Sequence, residues 1–211
     1  MKAISNVNFA RMSFDRAEFE GPWLASVGRP ELRGSWIIYG PSAMGKTTFT
    51  LMLLKYLATF DRCIYNSLEE GSSGALHSAW KRVGLAESGK NVLLCDREPV
   101  DELRARLKAR RSQNIVFLDS LTAMPGFRRA DYVSLMNDFP DKLFIFTAHE
   151  KRGLPDPSIA ETVRRLSDVK IRVEGYKAFF NTRYMDAAAG EGGADYVIWP
   201  DGAEKYWAEK I

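Results

Sequence analysis

The chain has 211 residues, 45% of them hydrophobic, and carries a net charge of +3 at pH 7. This length suits one α/β domain with a sizeable core, and so small a charge neither supports nor opposes nucleic-acid binding. No apolar run is long enough to cross a membrane, and Lys2 is followed by polar and mixed residues rather than an apolar signal segment, so we expect a cytoplasmic protein with no membrane partner.

Residues 1–34 precede the first predicted core strand and are predicted to form an N-terminal arm. Between Ala17 and Arg33 the sequence contains several glycines and prolines and shows no clear period, which predicts an irregular segment that could include a short helix. Three aromatic residues, Phe14, Phe19 and Trp23, predict that parts of this arm pack on the domain or on a neighbour.

Strands and helices are predicted to alternate from residue 35, in one domain that extends to residue 211. The predicted strands are Trp36–Tyr39, Arg62–Ser67, Asn91–Cys95, Ile115–Asp119 and Leu143–Ala148. The predicted helices are Thr47–Phe60, Ser72–Val83, Val100–Arg111 and Ala130–Asn137. This alternation predicts a mostly parallel central sheet flanked by helices. Two cysteines, Cys63 and Cys95, lie in strand-like runs and indicate a reducing compartment rather than a disulfide.

The C-terminal part has a different pattern, which predicts antiparallel strands that extend the sheet. Residues 168–173 alternate polar and apolar side chains, Glu174-Gly175 is a turn signal, and residues 178–185 could form the returning strand. Residues 196–199 and 204–207 predict another short hairpin.

Two further features belong to the C-terminal part. Residues 187–193 are rich in alanine and glycine and predict a flexible loop. Trp199, Tyr206 and Trp207 are interpreted as packing residues, although an exposed cluster there would indicate a subunit contact.

Residues 40–47 read G-P-S-A-M-G-K-T and match the phosphate-binding loop G-x-x-x-x-G-K-T. In such a loop Gly40 and Gly45 let the backbone wrap a phosphate, Lys46 places a cation on the β and γ oxygens, and the Thr47 hydroxyl is a ligand for Mg²⁺. The loop stands between a predicted strand and a predicted helix, as it must. ATP and Mg²⁺ are therefore the predicted ligands. The predicted nucleotide-binding residues are Gly40, Pro41, Ser42, Ala43, Met44, Gly45, Lys46, Thr47 and Thr48.

An aspartate, Asp119, ends the apolar strand-like run that begins at Asn114. Parallel sheets bind ligands at the carboxyl ends of their strands, so this side chain could hold Mg²⁺ through water beside Thr47. In isolation Asp119 could equally be a turn residue. Its position about seventy residues after the phosphate-binding loop favours the metal-binding role.

Polar residues end two more of the predicted strands. Glu69 or Glu70 could orient or deprotonate the water that attacks ATP, or could simply favour the positive end of the next helix. His149 could contact the γ-phosphate and report its loss, or be an exposed loop histidine. Lys151 and Arg152 could reach the ATP of a neighbouring subunit, or be ordinary surface charges.

Taken in order, these elements resemble the RecA-like P-loop ATPase superfamily over about residues 34–185. The run Ser67-Leu-Glu-Glu70 is similar to the second motif of hexameric replicative helicases and KaiC-type ATPases, and the resemblance implies that Glu69 or Glu70 activates water, with the helicase spelling favouring Glu69. The ending Ala148-His-Glu-Lys151 is similar to the histidine-containing motif of plasmid RepA-type helicases. Residues 168–175 resemble the late strands of archaeal recombinases. The resemblance implies catalytic roles for Lys46 and His149 and assembly with other copies of the chain.

The chain departs from full recombinases and helicases in the loops that usually contact DNA. The segments 121–129 and 151–159 are short. Their basic residues Arg128, Arg129, Lys151 and Arg152 could touch phosphates of single- or double-stranded DNA, although such loops are more often simply solvated. Strand exchange and processive unwinding are therefore not expected.

These features predict a self-assembling Mg-ATP-binding ATPase that acts in DNA recombination, repair or replication. An alternative is a nucleotide-dependent regulatory or protein-binding module with little turnover. A small-molecule kinase is less favoured, because the arginines between residues 104 and 111 lie in the wrong place for a kinase lid. That predicted helix carries five basic residues on its outer face, which we interpret as solvated.

Overall fold

The centre of the molecule is a mixed, mostly parallel sheet, which has nine strands in the part of the chain that the structure describes. This computed structural model describes residues 3–210. Met1, Lys2 and Ile211, which belong to the predicted arm and domain, lie outside the described residues. The strands are β1 (Gly34–Gly40), β2 (Cys63–Ser67), β3 (Val92–Asp96), β4 (Ile115–Asp119), β5 (Leu143–Lys151), β6 (Leu154–Asp156), β7 (Val169–Glu174), β8 (Lys177–Thr182) and β9 (Tyr196–Val197).

The strand order is β3-β2-β4-β5-β1-β7-β8-β9, with β6 paired to β5. Strands β3, β2, β4, β5, β1 and β7 are parallel, whereas the pairs β5–β6, β7–β8 and β8–β9 are antiparallel. The prediction of an α/β fold with a parallel core and antiparallel C-terminal strands is confirmed.

Helices cover both faces of the sheet. They are α1 (Asn6–Ala10), α2 (Gly21–Val27), α3 (Lys46–Leu57), α4 (Gly74–Val83), α5 (Val100–Lys108), α6 (Arg129–Asp138), α7 (Ser158–Leu166) and α8 (Pro200–Ala208). Helix α7 was not among the predicted helices. Its apolar and charged residues recur at helical spacing, although residues 151–159 were predicted to form only a short loop.

The buried strands separate two layers of apolar side chains. In β1, Trp36 and Ile38 pack in the layer that contains α2, α3 and α4, whereas Ile37 and Tyr39 pack in the layer that contains α5, α6 and α7. Successive residues of a strand point to opposite faces, and strands covered on both faces are apolar throughout. Both cysteines, Cys63 and Cys95, are buried free thiols.

The register of the parallel strands brings the predicted catalytic segments to one edge of the sheet. Gly40, which ends β1, is paired with His149 of β5. Ser67, which ends β2, is paired with Asp119 at the end of β4. The loops that leave these strands therefore begin side by side.

The second half of the predicted arm packs on the core. Helix α2 is the short helix that the sequence allowed, and Phe19 and Trp23 are buried, whereas Phe14 is 38% exposed. The loop 187–193, predicted to be flexible, is joined to α2 at its C-terminal end, where the N–H groups of Gly192 and Gly193 donate to the carbonyls of Leu24 and Ser26.

The predicted second hairpin is wrong in its returning half, because residues 204–207 belong to α8. Strand β9 pairs with β8, and the chain then turns into a helix with Pro200 at its first position, where its missing N–H is not needed. Helical geometry places Tyr206 and Trp207 together against Gly175, whose carbonyl accepts a hydrogen bond from Trp207 Nε1 at 3.1 Å. The pattern of aromatic residues reflects this packing rather than strand alternation.

Two other boundaries differ from the sequence prediction. Strand β5 continues to Lys151 and forms a tight hairpin with β6, so His149 lies within a strand. Strand β8 ends at Thr182, three residues before the predicted end. Among residues 3–210, no helix has the length and apolar character that a membrane span requires.

Candidate functional site

The phosphate-binding loop occupies the turn between β1 and α3. Gly45 is the N-cap of α3 and has a φ of 94°, a left-handed value that glycine adopts without strain. Gly40 is needed for a second reason, since a Cβ atom there would lie 2.0 Å from the carbonyl oxygen of Val173 on the neighbouring strand β7. Gly45 is therefore favoured by its left-handed backbone conformation. At Gly40 the neighbouring strand leaves no room for a side chain.

Lys46 is the first residue of α3 and folds back over the loop. Its Nζ donates to the carbonyl oxygens of Gly40 at 2.9 Å and Pro41 at 2.8 Å. Burial lowers the pKa of Lys46, and the negative charges of Asp119 and Glu69 oppose that shift. The ammonium group is therefore held at the loop, close to the carboxylates that end β2 and β4.

Glu69 is tied to the ends of two neighbouring strands. Ser120 Oγ donates to Glu69 Oε2 at 2.5 Å, and His149 Nε2 lies 2.9 Å from Glu69 Oε1. Burial raises the pKa of Glu69, but the hydrogen bonds from Ser120 and His149, together with the Lys46 charge, outweigh burial and lower the pKa below its ordinary value. Glu69 is thus an oriented carboxylate that stays ionised at neutral pH.

Glu70 makes weaker contacts and faces the start of α4. Its Oε2 accepts a long hydrogen bond of 3.4 Å from Ser73, the N-cap of that helix. Both glutamates line the same cavity, but only Glu69 is bonded to residues of β5 and the β4 end.

Asp119 is enclosed by polar side chains of the two neighbouring strands. Its Oδ1 accepts a hydrogen bond from Thr147 at 2.5 Å, and its Oδ2 accepts one from the hydroxyl of Tyr65. Burial raises the pKa of Asp119, while the two hydrogen bonds and Lys46 act in the opposite direction. Tyr65 and Thr147 fix the direction of the carboxylate.

A cavity of about 410 Å³ brings most of the predicted residues together. The predicted residues that line it are Ser42, Ala43, Gly45, Lys46, Thr47, Thr48, Glu69, Glu70, Asp119 and His149. Gly40, Pro41 and Met44 do not line it, although the carbonyls of the first two hold Lys46.

The cavity residues fit ATP with Mg²⁺. Thr47 and Asp119 offer hydroxyl and carboxylate oxygens, the donor types that Mg²⁺ prefers. Within residues 3–210 no group of three His, Cys, Asp or Glu side chains could hold a metal ion alone. Mg²⁺ is usually bound through one or two protein oxygens, substrate phosphates and water.

The four basic residues predicted to meet DNA are exposed and do not line this cavity. Arg128 is the N-cap of α6, which begins at Arg129. Lys151 ends β5, and Arg152 occupies the turn to β6 with a φ of 54°. They lie in or directly beside the segments that connect β4 to α6 and β5 to β6, and both segments begin at the end of the sheet where the cavity lies.

Several residues of the site were not among the predicted ones. Ser120, Thr147, Tyr65 and Tyr176 either bond to the carboxylates or line the cavity. The order of the strands decides which side chains meet, and no local pattern reports that order. Ser120 had a visible signal, since it directly follows Asp119 at a strand end.

Similar proteins were found among solved structures but not by sequence comparison. No protein-family model matches the sequence, and no curated protein is detectably similar to it. The flagellar accessory protein FlaH from Methanocaldococcus jannaschii has a similar structure, with a TM-score of 0.56 and 16% identity over 79% of this chain and 84% of that chain.

Two other solved structures are similar to a comparable degree. The ATPase domain of G40P has a TM-score of 0.54 and 16% identity over 82% of this chain and 84% of that chain. A DnaB-like replicative helicase, solved in a study of its interactions with primase, has a TM-score of 0.54 and 13% identity over 78% of this chain and 56% of that chain. The predicted resemblance is confirmed at the level of the fold, which is that of the RecA-like P-loop ATPases.

Proposed function

We propose that this protein, which has a RecA-like fold, binds Mg-ATP in the cavity at the phosphate-binding loop and hydrolyses it. One observation carries the proposal. The loop lysine Lys46, the strand-end carboxylates Glu69 and Asp119, and His149 converge on one cavity from four different segments of the chain. A phosphate-binding turn without a catalytic role would not need this convergence.

In the proposed complex Lys46 leaves the carbonyls of its own loop and contacts the β and γ oxygens of ATP. Thr47 and Asp119 would hold Mg²⁺, which would supply positive charge against the charge that develops on the transferred phosphoryl group. Tyr65 and Thr147 keep Asp119 aimed at the cavity, and each carboxylate oxygen retains a lone pair for a further partner.

Glu69 is the proposed partner of the attacking water. Its lowered pKa makes it a modest base, so its main contribution is to orient the water in line with the γ-phosphorus, with proton acceptance following as charge develops. Ser120 and His149 hold the carboxylate for this task. His149 also connects Glu69 to the β5–β6 hairpin. Loss of the γ-phosphate would therefore change the contacts of a residue that belongs to this hairpin.

We also propose that the chain assembles with copies of itself and acts on DNA in recombination, repair or replication. Support comes from the exposed basic residues on the loops after β4 and β5, and from the helicase and ATPase domains among the similar structures. Lys151 or Arg152 would then contact DNA or complete the ATP site of the adjacent copy.

The first test compares the wild-type chain with Lys46→Ala, using calorimetry for ATP binding and phosphate release for turnover, both with Mg²⁺. Loss of the cation should weaken ATP binding by at least tenfold, while an exposed α5 control, Lys108→Ala, should bind normally. Equal ATP affinity of the wild type and Lys46→Ala would refute the site. Tight binding without measurable turnover would instead favour the alternative, a regulatory module.

A further inference from the structure

The glutamate loop, residues 68–73 between β2 and α4, is held by both strands that neighbour β2. On the β4 side, the N–H of Glu69 donates to the carbonyl oxygen of Asp119 at 3.0 Å. On the β3 side, the guanidinium of Arg97 donates to the carbonyl oxygens of Glu70 at 2.8 Å and Glu69 at 3.4 Å. The backbone of Glu69 is therefore held through its N–H from one neighbouring strand and through its C=O from the other.

Arg97 reaches these carbonyls from a left-handed backbone conformation. Its φ is 53°, a value that strains a residue with a side chain and suits glycine. Its N–H donates to the carbonyl of Ser67 at 3.2 Å, so the chain turns away from the sheet directly after β3. Because the backbone alone would favour glycine here, the presence of arginine indicates a use for its side chain.

Gly71 leaves the space that the guanidinium occupies. A Cβ atom built on Gly71 would lie 2.0 Å from Arg97 Nη1 and 2.4 Å from Cζ, so a side chain there would displace the guanidinium. Asp96 orients the same group, since its Oδ1 accepts a hydrogen bond from Nη1 at 3.2 Å. Ser72 Oγ in turn donates to Asp96 Oδ2 at 2.5 Å. These four residues form a clamp that joins the glutamate loop to the end of β3.

The clamp lies outside the nucleotide cavity and is half exposed. Neither Arg97 nor Asp96 lines the cavity, and their side chains are 56% and 49% exposed. Exposed contacts of this kind contribute little to the free energy of unfolding. Their effect is on geometry, because the carbonyls that Arg97 holds belong to the two residues whose side chains line the cavity.

We propose that Arg97 is a positioning residue for ATP hydrolysis, which acts through Glu69 by fixing the backbone that carries this carboxylate. This inference rests on the proposed function, since it assumes that Glu69 orients the attacking water. Ser120 and His149 hold the carboxylate end of Glu69, and Arg97 and Asp119 hold its backbone. A misplaced catalytic group costs about ten- to hundredfold in rate. Loss of Arg97 should therefore lower turnover and leave ATP affinity unchanged.

The decisive variant is Arg97→Gly, because glycine removes the guanidinium and suits a φ of 53°. Single-turnover phosphate release should fall about ten- to hundredfold, while ATP affinity by calorimetry should stay within about twofold of the wild type. Its melting temperature should stay within about 4 °C of the wild type. Arg97→Lys keeps a cationic donor and should recover part of the rate.

Arg111→Gly is the matched control. Arg111 is another exposed arginine with a left-handed φ, 64°, and it does not line the cavity. The control therefore removes the same charge and relieves the same type of backbone strain, and it should hydrolyse ATP at the wild-type rate.

A double-mutant cycle tests whether Arg97 acts through Glu69. In a Glu69→Ala background the carboxylate is absent, so adding Arg97→Gly should lower the remaining rate less than about threefold. The same loss as in the wild-type background would show that Arg97 acts independently and would overturn the proposal.

Three other results would also overturn the positioning role. They are wild-type turnover in Arg97→Gly, an equal loss of turnover in Arg111→Gly, and a loss of turnover in Arg97→Gly that is matched by weaker ATP binding or by a melting temperature well below that of Arg111→Gly. A wild-type chain that binds no ATP or releases no phosphate would instead overturn the proposed function, and this inference with it, so the two failures can be told apart.

Discussion

Glu69 and Glu70 are neighbours in the sequence but have different surroundings in the fold. Glu69 accepts a hydrogen bond from Ser120 and lies 2.9 Å from His149 Nε2, and Glu70 faces the N-cap residue of α4. The geometry therefore favours Glu69 for the role that the sequence left open between the two.

Glutamine at each position tests this ranking. Glu69→Gln should still bind ATP but lose about two to four orders of magnitude in turnover, because the amide cannot accept the proton of water. Glu70→Gln should lose much less. Single-turnover phosphate release, with ATP binding measured in parallel, checks both. A larger effect at Glu70 would transfer the role, and two nearly normal enzymes would favour the non-catalytic module.

His149 is expected to act by positioning Glu69. His149→Ala should lower turnover about ten- to hundredfold while ATP affinity stays close to that of the wild type, since small displacements of a catalytic group cost this much. His149→Gln keeps a side-chain donor and should recover part of the rate. Equal turnover in the wild type and His149→Ala would return His149 to the class of ordinary surface residues.

At the scale of single elements, α7 shows how charge stabilises a helix that the sequence analysis missed. Glu161 accepts hydrogen bonds from Arg164 at 2.7 Å and Arg165 at 2.9 Å, three and four residues further along the same helix. Hydrogen bonding from Arg164, against a smaller effect of burial, lowers the pKa of Glu161 to about 2. Glu161 and Arg164 are partly buried beside Ala160 and Val163, whereas Arg165 is exposed.

This pKa shift predicts a pH-dependent contribution to stability. The pKa in the folded state lies below the unfolded value of about 4.3, so the stabilisation is complete above that value and disappears as the pH falls towards 2. Glu161→Gln should reduce the free energy of unfolding by about 1 kcal/mol at pH 7, a small value because Arg165 is exposed. Urea unfolding at pH 7 and pH 3 measures it, with the exposed Glu204→Gln as control. An equal loss at both pH values would contradict the assignment.

In the whole molecule, the cavity at the phosphate-binding loop and the exposed basic residues both lie at the carboxyl ends of the parallel strands. His149 and Lys151 lie in the same strand, with His149 at the cavity and Lys151 at the hairpin turn. Arg128 and Arg129 begin the helix that follows the Asp119 strand end. A change at the γ-phosphate could therefore reach this surface through two short segments.

Replacing Arg128, Arg129, Lys151 and Arg152 in pairs by alanine distinguishes the two uses proposed for them. If they contact DNA, affinity should fall steeply with salt, and each double substitution should flatten the log–log slope by about one to two units. If Lys151 or Arg152 completes a neighbour's site, its loss should lower ATPase activity without DNA. Wild-type activity per subunit should then rise with protein concentration.

Fluorescence anisotropy with single- and double-stranded DNA, ATPase assays and light scattering supply the three readouts. Lys108→Ala serves as the control for a general loss of positive charge. If DNA affinity, ATPase activity and mass are all insensitive to the four substitutions, the basic residues are simply solvated.

The parallel core could be predicted from the sequence because its determinants are local. Apolar runs at β1, β2, β4 and β5 and the spacing of helical stripes report burial directly, and the phosphate-binding loop is a contiguous motif whose glycines meet needs of the backbone nearby. Two features could not be predicted because they depend on contacts that are distant in the sequence. The aromatic residues of helix α8 pack against Gly175, and residues 192–194 are hydrogen-bonded to α2, which lies more than 150 residues earlier.

The same division applies to the site. The phosphate-binding-loop motif with Lys46 and Thr47, and the carboxylates at strand ends, could be identified from the sequence alone, since both follow from short motifs. The contacts of Glu69, rather than Glu70, with Ser120 and His149, and the position of Tyr176 over the loop, could be seen only in the folded structure. The order of strands across the sheet brings these residues together, and that order depends on the packing of the whole chain rather than on any local run of residues.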